Sequence, residues 1–238
     1  GFNNLSLDLI YGIPGQNIND WKSTINQALK LQPEHISMYG LTIEKNTKFD
    51  WMVTEGLMPN PDSDIAADMY EYVEKEMYRN GYTHYEISNW SLPGKESLHN
   101  LTYWYSQEYI GVGAGAHSFF SGIRFWNVNS PNEYINLLEK DPLIDNNTEI
   151  CRGFCAVSEI EDYDDNTRIA DQFILGLRLV EGVNESIFNQ SFIDLISKKY
   201  KKEIKELIDI GLLEITNSSI KLTKRGRLLA NEVFYKFL

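Results

Sequence analysis

Residues 5–43 read LSLDLIYGIPGQNINDWKSTINQALKLQPEHISMYGLTI, and the order of elements within them decides the fold. Leu5, Leu7, Leu9 and Ile10 make a nearly unbroken apolar run, the pattern of a strand covered on both faces. Pro14-Gly15 turns the chain. Asn19 or Asp20 can cap the helix that follows, which carries Trp21, Ile25 and Leu29 on one stripe and runs through Leu31. Residues 35–43 form a second strand. Ser63 can cap another helix, with Ile65, Met69, Val73 and Met77 on its apolar face and a stop at Asn80-Gly81. Tyr85-Glu86-Ile87-Ser88 then reads as a third strand. Strand, helix, strand, helix, strand at this spacing predicts an α/β fold with a parallel sheet.

Asp8 interrupts the first apolar run, and a buried carboxylate is costly unless paired. It either ties down a neighbouring loop or stands near the C-terminal rim of the sheet, where α/β proteins hold ligands. Gly12-Ile13-Pro14-Gly15-Gln16 is too short and proline-bound to cradle phosphate, and no Lys-Ser/Thr follows it.

Residues 82–126 hold three of the four histidines and three of the five tryptophans. His99-Asn100-Leu101-Thr102-Tyr103-Trp104 puts a metal-capable imidazole and an amide ahead of two large rings. Two readings are open: His99 and Asn100 tie down a loop while Tyr103 and Trp104 fill core, or the segment is a binding element. His35, on the second strand, is expected to lie far from it. The run Gly111-Val112-Gly113-Ala114-Gly115-Ala116-His117 lets a ligand or a second backbone come close.

After Trp126 the pattern changes. Residues 132–140 form a short helix, a polar stretch covers 141–149, and acidic residues from Glu159 to Asp165 suggest a hinge leading into a helix with Ile169, Phe173 and Leu177 on one face. Ile204, Leu207 and Ile208 lie on a helix stopped by Gly211. Residues 212–215 and 220–222 form a small hairpin across Asn217-Ser218-Ser219, and a last helix runs from about Lys224. This is a winged-helix layout. Residues 198–238 carry ten Lys/Arg against five Asp/Glu, but the whole chain has net charge −12, which argues against nucleic-acid or anionic-membrane binding. No apolar run reaches the length of a membrane helix and no signal-peptide pattern opens the chain, so a cytoplasmic protein is expected. The two cysteines, Cys151 and Cys155, are too few for a disulfide framework and too isolated for a metal site.

LDLIYGIPGQ, HISMYGLTIEKNT, HYEISNW, HNLTYW and GVGAGAHS occur in that order, and together they resemble the radical-SAM family of HemN and HemW over essentially the whole chain. The resemblance implies the C-terminal part of a partial (β/α) barrel with its extension over residues 1–150, then a small, mostly helical, winged-helix-like domain over 151–238. HNLTYW is similar to the HNxxYW motif of HemW-type haem chaperones, which implies haem binding and delivery to a client protein. The alternative within the family is oxygen-independent coproporphyrinogen III oxidation.

The resemblance also implies S-adenosylmethionine and a [4Fe–4S] cluster, but the family's CxxxCxxC cluster motif does not occur in this sequence, and Ser158 stands where a third cysteine would follow Cys151 and Cys155. An absent N-terminal half of the barrel is therefore expected, with self-association through the strand edge this would leave. Residue by residue, the resemblance places Asp8 and Thr42 near S-adenosylmethionine, with Thr42 at the end of the second strand, and His117 near a second cofactor. It associates His99, Asn100, Tyr103 and Trp104 with haem.

Overall fold

The computed structural model describes residues 1–140, 155–161, 164–216 and 219–238. Its first sheet contains β1 (Ser6–Tyr11), β2 (His35–Gly40), β3 (Thr83–Glu86) and β4 (Asn89–Ser91), in the order β1-β2-β4-β3. α1 (Ile18–Lys30) joins β1 to its parallel partner β2, and α2 (Lys48–Thr54) and α3 (Ser63–Arg79) lead to β3. β4 is antiparallel to both β2 and β3, so the parallel reading holds for the first pair and is corrected beyond it. Ile87 and Ser88 belong not to a strand but to the two-residue turn of a hairpin, whose return strand inserts beside β2. Met38 N–H donates to the Ser88 carbonyl at 2.8 Å and fixes that turn.

The two faces of this sheet differ. Leu7, Leu9, Ile36, Met38 and Trp90 pack with Trp21, Ile25, Met69, Val73 and Met77 of α1 and α3. The other face is polar, because the register sets Asp8 opposite Ser37, Ser37 opposite Asn89, and Asn89 opposite Glu86. β1 therefore alternates instead of being apolar on both sides. Ile10, on the polar face, is 51% exposed, and Asp8 on the same face is exposed too, so its carboxylate is not a buried charge.

The helix caps also shift. Asn17, not Asn19 or Asp20, caps α1: its side chain accepts from the Asn19 and Asp20 amides, and the Asp20 carboxylate accepts from the Asn17 amide. This reciprocal box puts the expected cap residue at the third helical position. Asp62 caps α3 in place of Ser63. β2 ends at Gly40, so Thr42 lies on the following loop and not at the end of the strand.

α4 (Leu98–Trp104) precedes a second, antiparallel sheet of β5 (His117–Phe120), β6 (Ile123–Asn127) and β7 (Val157–Glu161), with α5 (Pro131–Lys140) after β6. The acidic run expected as a hinge begins instead in β7, where Glu159 and Glu161 pair opposite Trp126 and Arg124. The polar stretch 141–149, Cys151 and the 150/151 boundary lie outside the described residues, as do Asn217 and Ser218 of the hairpin turn.

The remaining elements are α6 (Asp165–Leu177), β8 (Val183–Asn184), α7 (Gln190–Lys199), α8 (Lys201–Asp209), β9 (Leu213–Ile215), β10 (Ser219–Leu222), α9 (Lys224–Leu228) and α10 (Ala230–Phe234). They enclose a second core around Phe173, Leu177, Ile196, Leu207, Leu213 and Val233. The last helix, read as continuous, breaks at Leu229. Leu228 packs on the first core and Val233 and Phe234 on the second, so one straight helix would not serve both. Residues 178–180 join the modules by running along β3: Ile87 N–H donates to Arg178 O at 3.0 Å, and Val180 N–H to Tyr85 O at 3.1 Å. Among the described residues no helix is long and apolar enough to cross a membrane.

Candidate functional site

HNLTYW folds as helix α4, with His99 and Asn100 in its first turn. Ser97 caps it, its hydroxyl accepting from the Asn100 amide at 3.3 Å. Residues four apart share a helix face, so the motif presents two sides. On one, His99 lies edge-on to Tyr103 with ring centroids 4.9 Å apart, and Tyr103 lies edge-on to Tyr109 at 4.6 Å. On the other, Asn100 hydrogen-bonds the Tyr85 hydroxyl, and the Arg178 guanidinium sits over the Trp104 ring, 4.4 Å from its centroid. Trp104 is thus half-buried under the C-terminal module.

Three of the cavities around this helix take in its His99, Asn100, Tyr103 and Trp104. The largest, about 700 Å³, is lined by the polar sheet face, including Asp8, His35 and Ser37, and by His99 and Asn100. A second, about 540 Å³, lies between α4 and β5 and takes in His99, Tyr103, Tyr109 and His117. A third, about 350 Å³, is bordered by Tyr103, Trp104 and Arg124. His99 borders the first two. The structure therefore brings Asp8, His99, Asn100, Tyr103, Trp104 and His117 around one helix, while Thr42 borders none of these three cavities.

His35 was expected to lie away from the motif, yet it lines the same cavity as His99 and Asn100. Its Nδ1 is 2.8 Å from Ser6 Oγ and its Nε2 is 2.8 Å from Tyr85 Oη, and Tyr85 Oη accepts from the Ser97 amide at 3.3 Å. A polar chain thus runs from β1 through β2 and β3 to the cap of α4. Burial pushes His35 below its ordinary range, with Asp8 and Glu96 partly opposing it. Burial raises the Tyr85 hydroxyl well above the usual tyrosine range, so it stays protonated. Ser6, His35, Tyr85 and Ser97 are the residues that sequence reasoning missed. Alternating polar positions in β1 and β2 were the available signal.

Behind this chain, a bulge between His84 and Glu86 turns both Tyr85 and Glu86 toward the polar face. Glu86 is 1% exposed, and burial raises its carboxyl although Asn89, Arg178 and the Ser88 amide counteract. Glu86 Oε2, Asn89 Oδ1 and Ser91 Oγ are buried without hydrogen-bond partners among the described residues.

The glycine run settles in favour of a second backbone. A Cβ on Gly111 would stand 2.1 Å from the His117 carbonyl oxygen. Gly111 N–H instead donates to Ser118 Oγ at 2.9 Å, and Asn127 Nδ2 donates to the carbonyls of Gly111 and Gly113. Gly113 and Gly115 adopt φ of 109° and 69°, which glycine takes at little cost.

The donor sets can be compared with the groups the family implies. The polar face, with Asp8, His35 and Ser37 lining its cavity, fits the hydrogen-bonding parts of S-adenosylmethionine. The two cysteines in the sequence do not make the three-thiolate set of a [4Fe–4S] cluster, so the cluster does not fit this chain's residues. Around His99 the rim is apolar and open: Leu98 is 79%, Ile110 58% and Val112 85% exposed. An imidazole beside aromatic walls and an uncovered apolar rim fits an iron porphyrin.

A family model described as the HemN C-terminal domain matches residues 163–229. The chain is 38% identical to the heme chaperone HemW of Lactococcus lactis over all of its 238 residues, and 37% identical to that of Bacillus subtilis over the same span. It spans about three fifths of the length of these relatives, covering 59% and 60% of them. Among solved structures, coproporphyrinogen III oxidase (HemN) from Escherichia coli, a radical SAM enzyme, superposes with a TM-score of 0.72 at 17% identity, over 100% of this chain and 55% of that one. That likeness concerns the fold.

Proposed function

On the premise that this chain belongs to the radical-SAM family of HemW and HemN, we propose that it is the haem-holding part of a haem chaperone that passes its cargo to a client protein. The observation that carries this reading is the placement of His99. It stands on a short helix between two cavities, edge-on to Tyr103, beside the exposed apolar rim of Leu98, Ile110 and Val112. An open rim suits cargo that must leave again, whereas a prosthetic group is normally enclosed.

In this reading His99 ligates the iron, while Tyr103 and Tyr109 offer flat walls to the macrocycle. Asn100 orients the helix through Tyr85, and Trp104 anchors it under Arg178. Asp8, with Ser37 beside it in the sheet, faces the cavity in which S-adenosylmethionine would bind, and Thr42 would approach that cofactor only from the loop after β2. The cluster ligands would come from outside these residues. A cytoplasmic setting goes with this function.

Titration of the chain with ferric haem tests it. A saturable Soret shift is expected, and His99→Ala should lose it, while Lys30→Ala, on the far side of α1, retains it. No shift in the unmutated chain, or equal shifts in all three, would refute the reading. Conversion of coproporphyrinogen by the family member containing this chain would instead assign it to the oxidases.

A further inference from the structure

We propose that His117 is the second imidazole of the haem site, so that the iron is held between His99 of α4 and His117 of β5. This rests on the haem-binding reading above and adds the ligand set to it.

The four histidines of the sequence divide into two pairs. His35 is buried, with Ser6 and Tyr85 at its two ring nitrogens. His84 is largely buried too, stacked on Trp90 at 4.2 Å and bonded to Glu74 and the Ile87 carbonyl. Both are engaged in internal packing. His99 and His117 are exposed, come from different elements, and border one cavity of about 540 Å³. That volume is of the size that takes a large planar ligand.

β5 and the loop before it are fixed relative to each other, and Tyr109 of that loop meets Tyr103 of α4 with ring centroids 4.6 Å apart. Tyr109 and Phe119 exchange backbone hydrogen bonds at 2.7 and 2.9 Å, and Gly111 lies too close to the His117 carbonyl to bear a side chain. The Gly113 amide donates to Tyr134 Oη at 3.1 Å. His117 itself leans on Trp126, with ring centroids 5.2 Å apart and an interplanar angle of 31°. The loop that carries Val112 is therefore held against β5, with an imidazole on each wall and tyrosines between. Two imidazoles bordering one slot are a natural ligand set for a six-coordinate iron porphyrin.

The test is the spectrum of the haem-loaded chain. The unmutated protein should give a six-coordinate, low-spin ferric spectrum. His117→Ala should shift it to five-coordinate, high-spin, and added imidazole should restore the low-spin form. His117→Gln, which keeps a polar side chain of similar reach, should behave as His117→Ala does, with near-UV circular dichroism unchanged. Metal-free protoporphyrin should bind equally to the unmutated chain and to His117→Ala, because only the iron distinguishes them. A low-spin spectrum retained by both variants, or a high-spin spectrum in the unmutated chain, would overturn the assignment of His117 while leaving haem binding intact. Absence of any haem binding would overturn both this assignment and the function it rests on.

Discussion

His35 Nε2 and Tyr85 Oη lie 2.8 Å apart beneath helix α4. This contact connects the polar face of the sheet to the HNLTYW helix, because Tyr85 Oη also receives the Ser97 amide that opens it. Replacing His35 with Ala should leave Tyr85 and Ser6 without their buried partner. A cost of about 1–3 kcal/mol is expected for such an unsatisfied group. Chemical denaturation would measure it, and hydrogen exchange at Leu101 and Thr102 should accelerate. Unchanged exchange would show that the chain of contacts does not support α4.

Acid should destabilise the fold in two steps. His35 and His84 are both pushed below the ordinary histidine range, first by burial, so the unfolded chain takes up protons that the folded chain resists. Stability is therefore full above a pH of about 6.5 and falls as pH drops below it. His35→Gln should flatten this slope in part, since His84 remains. Glu74 acts lower down: burial would raise it, but hydrogen bonds from His84 and Arg227 and the Arg227 charge outweigh that and hold it at about 2. Its contribution, on the order of 3 kcal/mol, is present above a pH of about 4.5 and disappears toward 2. Melting temperature against pH checks both steps.

Arg227 and Glu74, 2.5 Å apart and 9% and 11% exposed, pin α9 to α3. Arg227→Met alone leaves a buried carboxylate beside a histidine and should cost about 3–5 kcal/mol. Replacing both residues with Met should recover most of that loss. A double variant no more stable than the single one would mean that Arg227 acts through packing alone.

The stacking of Arg178 on Trp104 has a measurable coupling. Trp104 Nε1 has no hydrogen-bond partner among the described residues, so Trp104→Phe removes ring area without breaking a hydrogen bond. A double-mutant cycle of Trp104→Ala with Arg178→Ala should give about 1 kcal/mol of coupling. A coupling near zero would mean that the contact is incidental.

β1 ends the first sheet, with β2 as its only neighbour among the described residues, and Ile10 is half exposed on it. The isolated chain should therefore associate through this edge. Light scattering over a dilution series should show a mass that rises with concentration, and Ile10→Lys should suppress the rise. A constant monomer mass would exclude edge pairing.

Much of this was legible in the sequence. The helix stripe of Trp21 and Ile25 and the stop at Gly211 are local patterns, and local patterns survive folding. The five ordered motifs carried the family. What escaped reading depended on distant partners. Tyr85 and Ile87 look alike in a strand pattern, yet one is bulged toward the polar face and the other lies in a turn and donates to Arg178 O. Asp8 read as a buried charge because its neighbours are leucines, although alternation puts it on the open face. His35 read as remote because 64 residues separate it from His99, a distance in sequence that the sheet removes. Trp104 read as core or haem contact, and only the fold could supply the arginine above it.

The insertion of β4 between β2 and β3 also constrains how the chain assembles. In the sheet β3 has β4 as its neighbour, so it cannot add to the growing structure in the order in which it is made. It must wait for β4 and arrive as half of a hairpin, a contact of short sequence separation that forms readily. Residues 178–180 then line up on β3, and Arg178 closes over Trp104. A chain emerging from the ribosome thus acquires its sheet before its clamp. Until the second core has docked, the helix bearing His99 is capped from below but uncovered above, and the nascent protein has a motif without a finished site.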